Sequence, residues 1–269
     1  MVRVPEDEPS PKRDTGALRQ RLLRSLAAPF RRPGRFERLL AVTRLQGQDP
    51  RIRHQLVVPH ATYSPWWTDA AFMRTFEAVR HATLVDIYRL YELWRSVEQV
   101  APVEGDLLEV GVWRGGSGCL IAAGAREHCP DAHVYLCDTF HGVVKAGAAD
   151  NEFVGGELSD TSASRVRELA RRLGLDNVTV VEGVFPDETG GRIPGSKLRL
   201  AHVDVDVYAS ARDSFRWIWD RLVPGGVVIF DDYGFHDCEG VTRFVDEVAS
   251  RPDVMFVHNL NGHGVVLRR

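Results

Sequence analysis

The chain has 269 residues, 44% of them hydrophobic, and a net charge of −3. That length holds one large α/β domain with additional elements. A charge so close to balance excludes a global field that would draw the protein to nucleic acid or to a membrane surface, and no apolar run reaches the roughly 20 residues needed to span a bilayer.

The charge is unevenly spread. Residues 1–58 carry 13 Lys+Arg against 6 Asp+Glu, a net of +7 that leaves −10 for the remainder. The sequence divides into a basic N-terminal arm with helices over residues 1–60 and an α/β domain over residues 61–269. Residues 1–16 are charged and proline-punctuated, as a loose arm would be. Leu18, Leu22, Leu23 and Leu26 then share one helical face, and a second short helix is expected from Phe36 to Leu45. A solvated or subunit-packing face explains this basic arm better than an RNA-binding tail.

Residues 68–99 read as two helices, one with Phe72, Phe76 and Val79 on a face, the next with Leu84, Ile87, Leu90, Tyr91 and Trp94. Regular strand–helix alternation follows, with strands near 106–111, 133–138, 178–182, 199–204 and 226–230. A helix at about 240–249 precedes two strands around Asn259–Gly262, a terminal hairpin signal. Cys119, Cys129, Cys137 and Cys238 form no C-x-x-C pair and read as reduced core thiols. The N-terminus has no apolar signal-like run, so a cytoplasmic location is expected.

Several strands end in glycines or carboxylates, where ligands bind in open α/β sheets. Leu107–Gly111 leads into Gly115, Gly116, Ser117 and Gly118, a turn that lets backbone approach a ligand closely. Five parallel strands followed by a hairpin that adds an antiparallel strand resemble the class I methyltransferase fold, a Rossmann-like, mostly parallel seven-stranded sheet. The dinucleotide fingerprint fails, since Trp113 stands third from Gly111 and Ile121 sixth from Gly116. Gly111, Val112 and Ser117 then line a cofactor turn for S-adenosylmethionine. Glu109 suits the ammonium or main-chain groups near its methionine end. Asp138, ending the second strand, suits two ribose hydroxyls, because a carboxylate accepts two O–H bonds at once. Phe140 and Gly183 are expected beside the adenine.

Asp204 and the pair Asp231–Asp232 end consecutive strands. Carboxylates that close repel one another unless a cation neutralises them, and oxygen-only ligands favour Mg²⁺, Mn²⁺ or Ca²⁺ over zinc. Asp206, two residues on, points the same way as Asp204 in extended backbone and suits a general base. His202, His141 and His236 are rival bases. The stretch 141–160 is Gly/Ala-rich without periodicity and reads as a lid or a surface loop. Tyr63, Trp66 and Trp67 suit either stacking on a substrate or packing in the core.

The stretches LEVGVWRGGSG, CDTFHGV, GVFPDET, HVDVDVYAS and LVPGGVVIFDDYG, with YSPWW and TLVDIYRLYELW upstream, resemble the macrocin O-methyltransferase (TylF-type) family over about residues 63–245. The resemblance implies S-adenosylmethionine- and Mg²⁺-dependent O-methylation of a deoxysugar hydroxyl on a glycosylated natural product, as in antibiotic biosynthesis. It implies Asp204, Asp231 and Asp232 as metal ligands, Asp204 also bordering the cofactor, and Asp206 as base. Some relatives carry a histidine three residues after the first metal ligand, where this chain has Val207. A catechol-type phenolic O-methyltransferase is the alternative. The expected partners are a small glycosylated substrate and, by analogy, further copies of the chain packed through the N-terminal arm.

Overall fold

In the computed structural model, seven strands form one sheet in the order β3-β2-β1-β4-β5-β7-β6. The structure describes residues 53–54, 63–195 and 197–269. The expected arm and its two helices lie outside the described residues. Residues Tyr63–Arg269 form one compact unit.

A 3-10 turn at Pro65–Thr68 opens this unit, followed by α1 (Ala70–Val79) and α2 (Ile87–Gln99). Both helices begin at an aspartate whose carboxylate accepts orphan backbone N–H groups, Asp69 from Phe72 and Asp86 from Tyr88 and Arg89. Next come β1 (Asp106–Val110), α3 (Gly116–His128), β2 (Val134–Asp138), α4 (Ala163–Arg172), β3 (Val178–Glu182) and β4 (Leu198–Val203). The chain closes with α5 (Tyr208–Trp219), β5 (Leu222–Phe230), α6 (Glu239–Ala249), β6 (Val254–His258) and β7 (Gly264–Arg268).

β1 to β5 are parallel, and β7 pairs antiparallel with β5 and with β6. The predicted strands therefore form, and β7 enters between β5 and β6 as the expected antiparallel strand. Helices cover both faces, which is why the strands read as nearly continuous apolar runs. Leu107, Leu136 and Leu200 pack under α1 to α4, whereas Leu108, Cys137 and Val203 pack under α5 and α6. All four cysteines are buried and unpaired. Among the described residues no helix is long and apolar enough to cross a membrane.

This sheet places the carboxyl ends of β1, β4 and β5 side by side. Val110 pairs with Val203, and Val203 with Phe230, so Gly111, Asp204 and Asp231 follow on neighbouring strands. The backbone N–H of Asp204 donates to Val110 at 2.8 Å, and that of Asp231 to Val203 at 2.9 Å.

Leu93 lies fully buried on α2, in the core cluster that also holds Leu107, Leu136 and Leu200. Leu93→Ala is expected to cost about 2–5 kcal/mol in urea unfolding, as deletions from a close-packed core do. A loss below about 1 kcal/mol would contradict the packing of α2 described here.

Candidate active site

A cavity of about 420 Å³ opens at the carboxyl ends of β1, β2, β4 and β5. That volume is within the range of small-molecule sites. Gly111, Val112, Ser117, Asp138, Gly183, Asp204, Asp206, Asp231 and Asp232 all border it. Glu109 and Phe140 are not among its walls.

The glycine turn is held by Asp138. One carboxylate oxygen accepts from the N–H of Val112 at 2.7 Å and of Trp113 at 2.8 Å, the other from Phe140 at 2.6 Å. Both oxygens are thus engaged before any ligand arrives, and the turn is fixed in place. Gly111 has φ +85°, and a Cβ there would lie 1.6 Å from the Asp204 carbonyl oxygen. No side chain fits that approach of β1 to β4. Gly183 likewise has φ +135°, and its N–H donates to the Asp138 carbonyl at 2.9 Å.

Glu109 is fully buried and faces away from the cavity. Its Oε1 meets His202 Nδ1 at 2.9 Å, the two residues being register partners on β1 and β4. A Cβ on Gly118 would come within 2.3 Å of its Oε2, so Glu109 lies under the start of α3. Phe140 is buried in the core at φ +56°, with its N–H committed to Asp138. The aromatic residue that does line the cavity near Gly183 is Phe185, packed edge-on against Trp217 at 5.0 Å.

The acids converge. Ligand oxygens of Asp204, Asp231 and Asp232 lie within 4.8 Å of one another. Asp206 does not extend β4 outward. Its φ is +62°, at the centre of a three-residue turn closed by Val207 N–H to the Val205 carbonyl at 2.7 Å. That turn, rather than extended backbone, folds Asp206 back to within 4.8 Å of Asp232 and Cys238. Asp232 is also left-handed, at φ +63°, a conformation aspartate tolerates better than most residues.

Burial first, and then the charge of Asp231, pushes the Asp204 and Asp232 carboxyls well above the ordinary value of 3.8. The same two causes push Asp206 up to about 7. Arg89 counters this charge. It enters from α2, its Nη1 donating to Asp231 Oδ1 and lying 3.9 Å from Asp232, while its Nε donates to Asp86 at 2.9 Å. Burial disfavours its charge, but Asp231 and Asp86 outweigh burial and hold its pKa above the ordinary arginine value. Its guanidinium also sits 5.0 Å from the centre of the Phe235 ring at the cavity rim.

The sequence reading did not single out Arg89. Its signal was present, since Arg89 recurs with Leu93 and Val97 along the buried face of α2. A charge on an apolar stripe needs a buried partner. Of the rival bases, His202 is fully buried on Glu109, while His141 and His236 are exposed and outside the cavity walls. Tyr63 and Trp67 are exposed, and Trp66 packs edge-on against Tyr88 and Tyr91. None of the three borders the cavity.

The 141–160 stretch has no helix or strand, yet it is tied down at several points. Asp150 accepts from Tyr208 N–H at 2.8 Å, Ser210 donates to the Val144 carbonyl at 2.8 Å, and Lys145 pairs with Asp187 and Asp213. Val143, Phe153, Glu157 and Leu158 form one wall of the cavity.

The donor set fits a hard divalent cation. Asp204, Asp231 and Asp232 offer oxygens only, and Asp232 Oδ2 is buried with no hydrogen-bond partner.

Fold and site together define a class I methyltransferase, with a glycine turn beside a nest of acids. A sequence model of the macrocin-O-methyltransferase (TylF) family matches residues 77–268, and the chain belongs to that family. It is an S-adenosylmethionine-dependent O-methyltransferase. The chain is 37% identical, over 61% of its length and 67% of the relative's, to the 8-demethyl-8-(2,3-dimethoxy-alpha-L-rhamnosyl)-tetracenomycin-C 4'-O-methyltransferase of Streptomyces olivaceus. It is 30% identical, over 75% of its length and 86% of the relative's, to the mycinamicin III 3''-O-methyltransferase of Micromonospora griseorubida. Among solved structures, the O-methyltransferase NovP superposes with a TM-score of 0.60 at 29% identity, covering 70% of this chain and 82% of NovP. The calicheamicin methyltransferase CalS11 superposes at 0.59 and 18% identity, over 83% and 97% of the two chains, a likeness of fold.

The raised carboxyls set a sign for stability. A group whose folded pKa exceeds its unfolded value binds more protons when native, so its contribution is lost as pH rises from the unfolded value of 3.8 upward. Asp204→Asn in metal-free buffer is therefore expected to be more stable than the wild type by roughly 0.5–2 kcal/mol at pH 7. The difference should shrink toward pH 4. Urea unfolding across that range checks it, and an advantage that grows on acidification would contradict the acid cluster drawn here.

Proposed function

We propose that the protein methylates a deoxysugar hydroxyl of a glycosylated natural product, with Mg²⁺ held by Asp204, Asp231 and Asp232. The observation that carries this reading is the junction of the Asp138-held glycine turn and the convergent acids in one cavity. The names of the tetracenomycin and mycinamicin relatives support the acceptor class, because the first specifies a rhamnosyl tetracenomycin and both specify O-methylation at a numbered position.

Bound in this cavity, S-adenosylmethionine would supply a sulfonium-activated methyl group, and Mg²⁺ would lower the pKa of the acceptor hydroxyl. Asp138 would hold the ribose with the lone pairs that its three amide donors leave. Gly111, Val112, Ser117 and Asp204 would hold the donor's amino-acid end, and Gly183 and Phe185 its adenine. Glu109 supports the turn from behind, through His202 and the start of α3. Phe140 contributes through its N–H on Asp138.

Asp206 takes the proton from the acceptor hydroxyl, whose oxygen would then bond to the methyl carbon as the methyl–sulfur bond breaks and its electron pair stays on sulfur, the neutral thioether being the leaving group. The turn at Asp206 aims the carboxylate into the cavity, and Arg89 fixes Asp231 while limiting the repulsion among the acids. Val143, Phe153 and Leu158 keep water from the acceptor side.

Methyl transfer from labelled S-adenosylmethionine to a panel of rhamnosylated polyketides and free catechols tests the reading. Label should appear on sugar oxygen with Mg²⁺ and vanish with EDTA or in Asp204→Ala. Asp206→Asn should lower kcat by about 10²–10⁴-fold, the usual size of a general-base contribution, and leave donor affinity in calorimetry nearly unchanged. Label on catechols alone overturns the acceptor. Transfer that survives EDTA overturns the metal.

A further inference from the structure

Beside the acid triad lies a second cluster, of which the transfer reaction uses only Asp231. His202 on β4, Asp231 just past β5 and His263 just before β7 come from three strands that are adjacent in the sheet. His202 and His263 are fully exclusion-buried at 0% exposure, and Asp231 is at 2%. Their ligand atoms lie within 4.8 Å of one another, and the imidazole rings meet edge to face at 5.9 Å.

Each imidazole is oriented from behind by a carboxylate. His202 Nδ1 lies 2.9 Å from Glu109 Oε1, and His263 Nδ1 lies 2.9 Å from Glu92 Oε2. Glu92 is itself held by the side-chain amides of Asn259 and Asn261, each at 2.7 Å. A carboxylate only accepts, so each Nδ1 carries the proton and each Nε2 of a neutral ring presents a lone pair. Both Nε2 atoms are buried and have no hydrogen-bond partner. His263 Nε2 comes no nearer to Asp231 Oδ1 than 3.4 Å.

We propose that His202, His263 and Asp231 form a second cation site, suited to a borderline transition metal such as Zn²⁺ and joined to the acid triad through Asp231. Two imidazoles and one carboxylate are the donor set of such ions, and imidazoles backed by carboxylates are their usual setting. With metal–ligand distances near 2.0–2.2 Å, each ligand need close in by no more than about 0.7 Å. The surrounding charge points the same way: Glu92 and Glu109 back the two imidazoles, and Asp231 converges with Asp204 and Asp232, an excess of carboxylates over the one guanidinium, Arg89, that meets Asp231. Bound there, the ion ties the β6–β7 hairpin to the centre of the sheet. The proposal does not depend on the acceptor or on which ion the triad holds.

The test uses the full chain, stripped with chelator, dialysed free of it and supplied with excess Mg²⁺ to fill the triad. Zn²⁺ is then titrated by calorimetry, and X-ray absorption reads its ligands. One Zn²⁺ per chain with two imidazoles, and a rise in thermal midpoint, is expected. Asp204→Asn should keep that binding. His263→Gln and His202→Gln should lose it, and Glu92→Gln should weaken it by about 10–100-fold. Folded wild type that takes up no Zn²⁺, an absorption spectrum with fewer than two imidazoles, or histidine variants that bind as the wild type does would each overturn the site. Should the variants fail to fold, the wild-type spectrum decides by itself.

Discussion

The mutual repulsion of Asp204, Asp206, Asp231 and Asp232 is the constraint around which this end of the sheet is built. Carboxylates drawn together out of water cannot all remain charged without compensation, and the raised carboxyls of Asp204, Asp206 and Asp232 express that strain. The fold answers it locally. Parallel pairing of β4 with β5 puts two of the acids side by side, and two left-handed residues bring in the others. Arg89, cast across from α2, supplies positive charge inside the protein. The helix ahead of the first strand is thereby part of the acid cluster, not a cover laid over it.

A division of labour follows from how each half of the cavity is held. At the glycine turn, one side chain, the Asp138 carboxylate, grips three backbone amides, and Gly111 permits close approach between strands. Across the cavity, one wall is made of side chains of a segment without regular structure, anchored by Asp150, Ser210 and Lys145.

The sheet was largely legible in the sequence, because helices on both faces make every central strand a short apolar run punctuated by turn residues. β1, β2, β3 and β4 fall within about a residue of their expected bounds, and the turn at Asn259–Gly262 announced the hairpin. The convergence of Asp204, Asp231 and Asp232 was legible for the same reason, since it needs only strand ends and neighbouring order. What escaped were partnerships between distant residues. Arg89 meets Asp231 across 142 positions and Glu92 meets His263 across 171, and no local pattern encodes either pairing. Glu109 and Phe140 illustrate the complementary limit. Both sit in the stretches the pattern marks, but strand alternation and a left-handed turn send their side chains inward. Asp206 reached the cavity through a turn that extended-strand geometry does not anticipate.

The rigidity of the Asp138 turn bears on how such a protein can diversify. Because the turn is fixed by Asp138 and backbone amides while the 141–160 wall has anchors of its own, substitutions in that wall can reshape the cavity without disturbing the turn. A lineage built on this plan can change its customers quickly while its workbench stays the same.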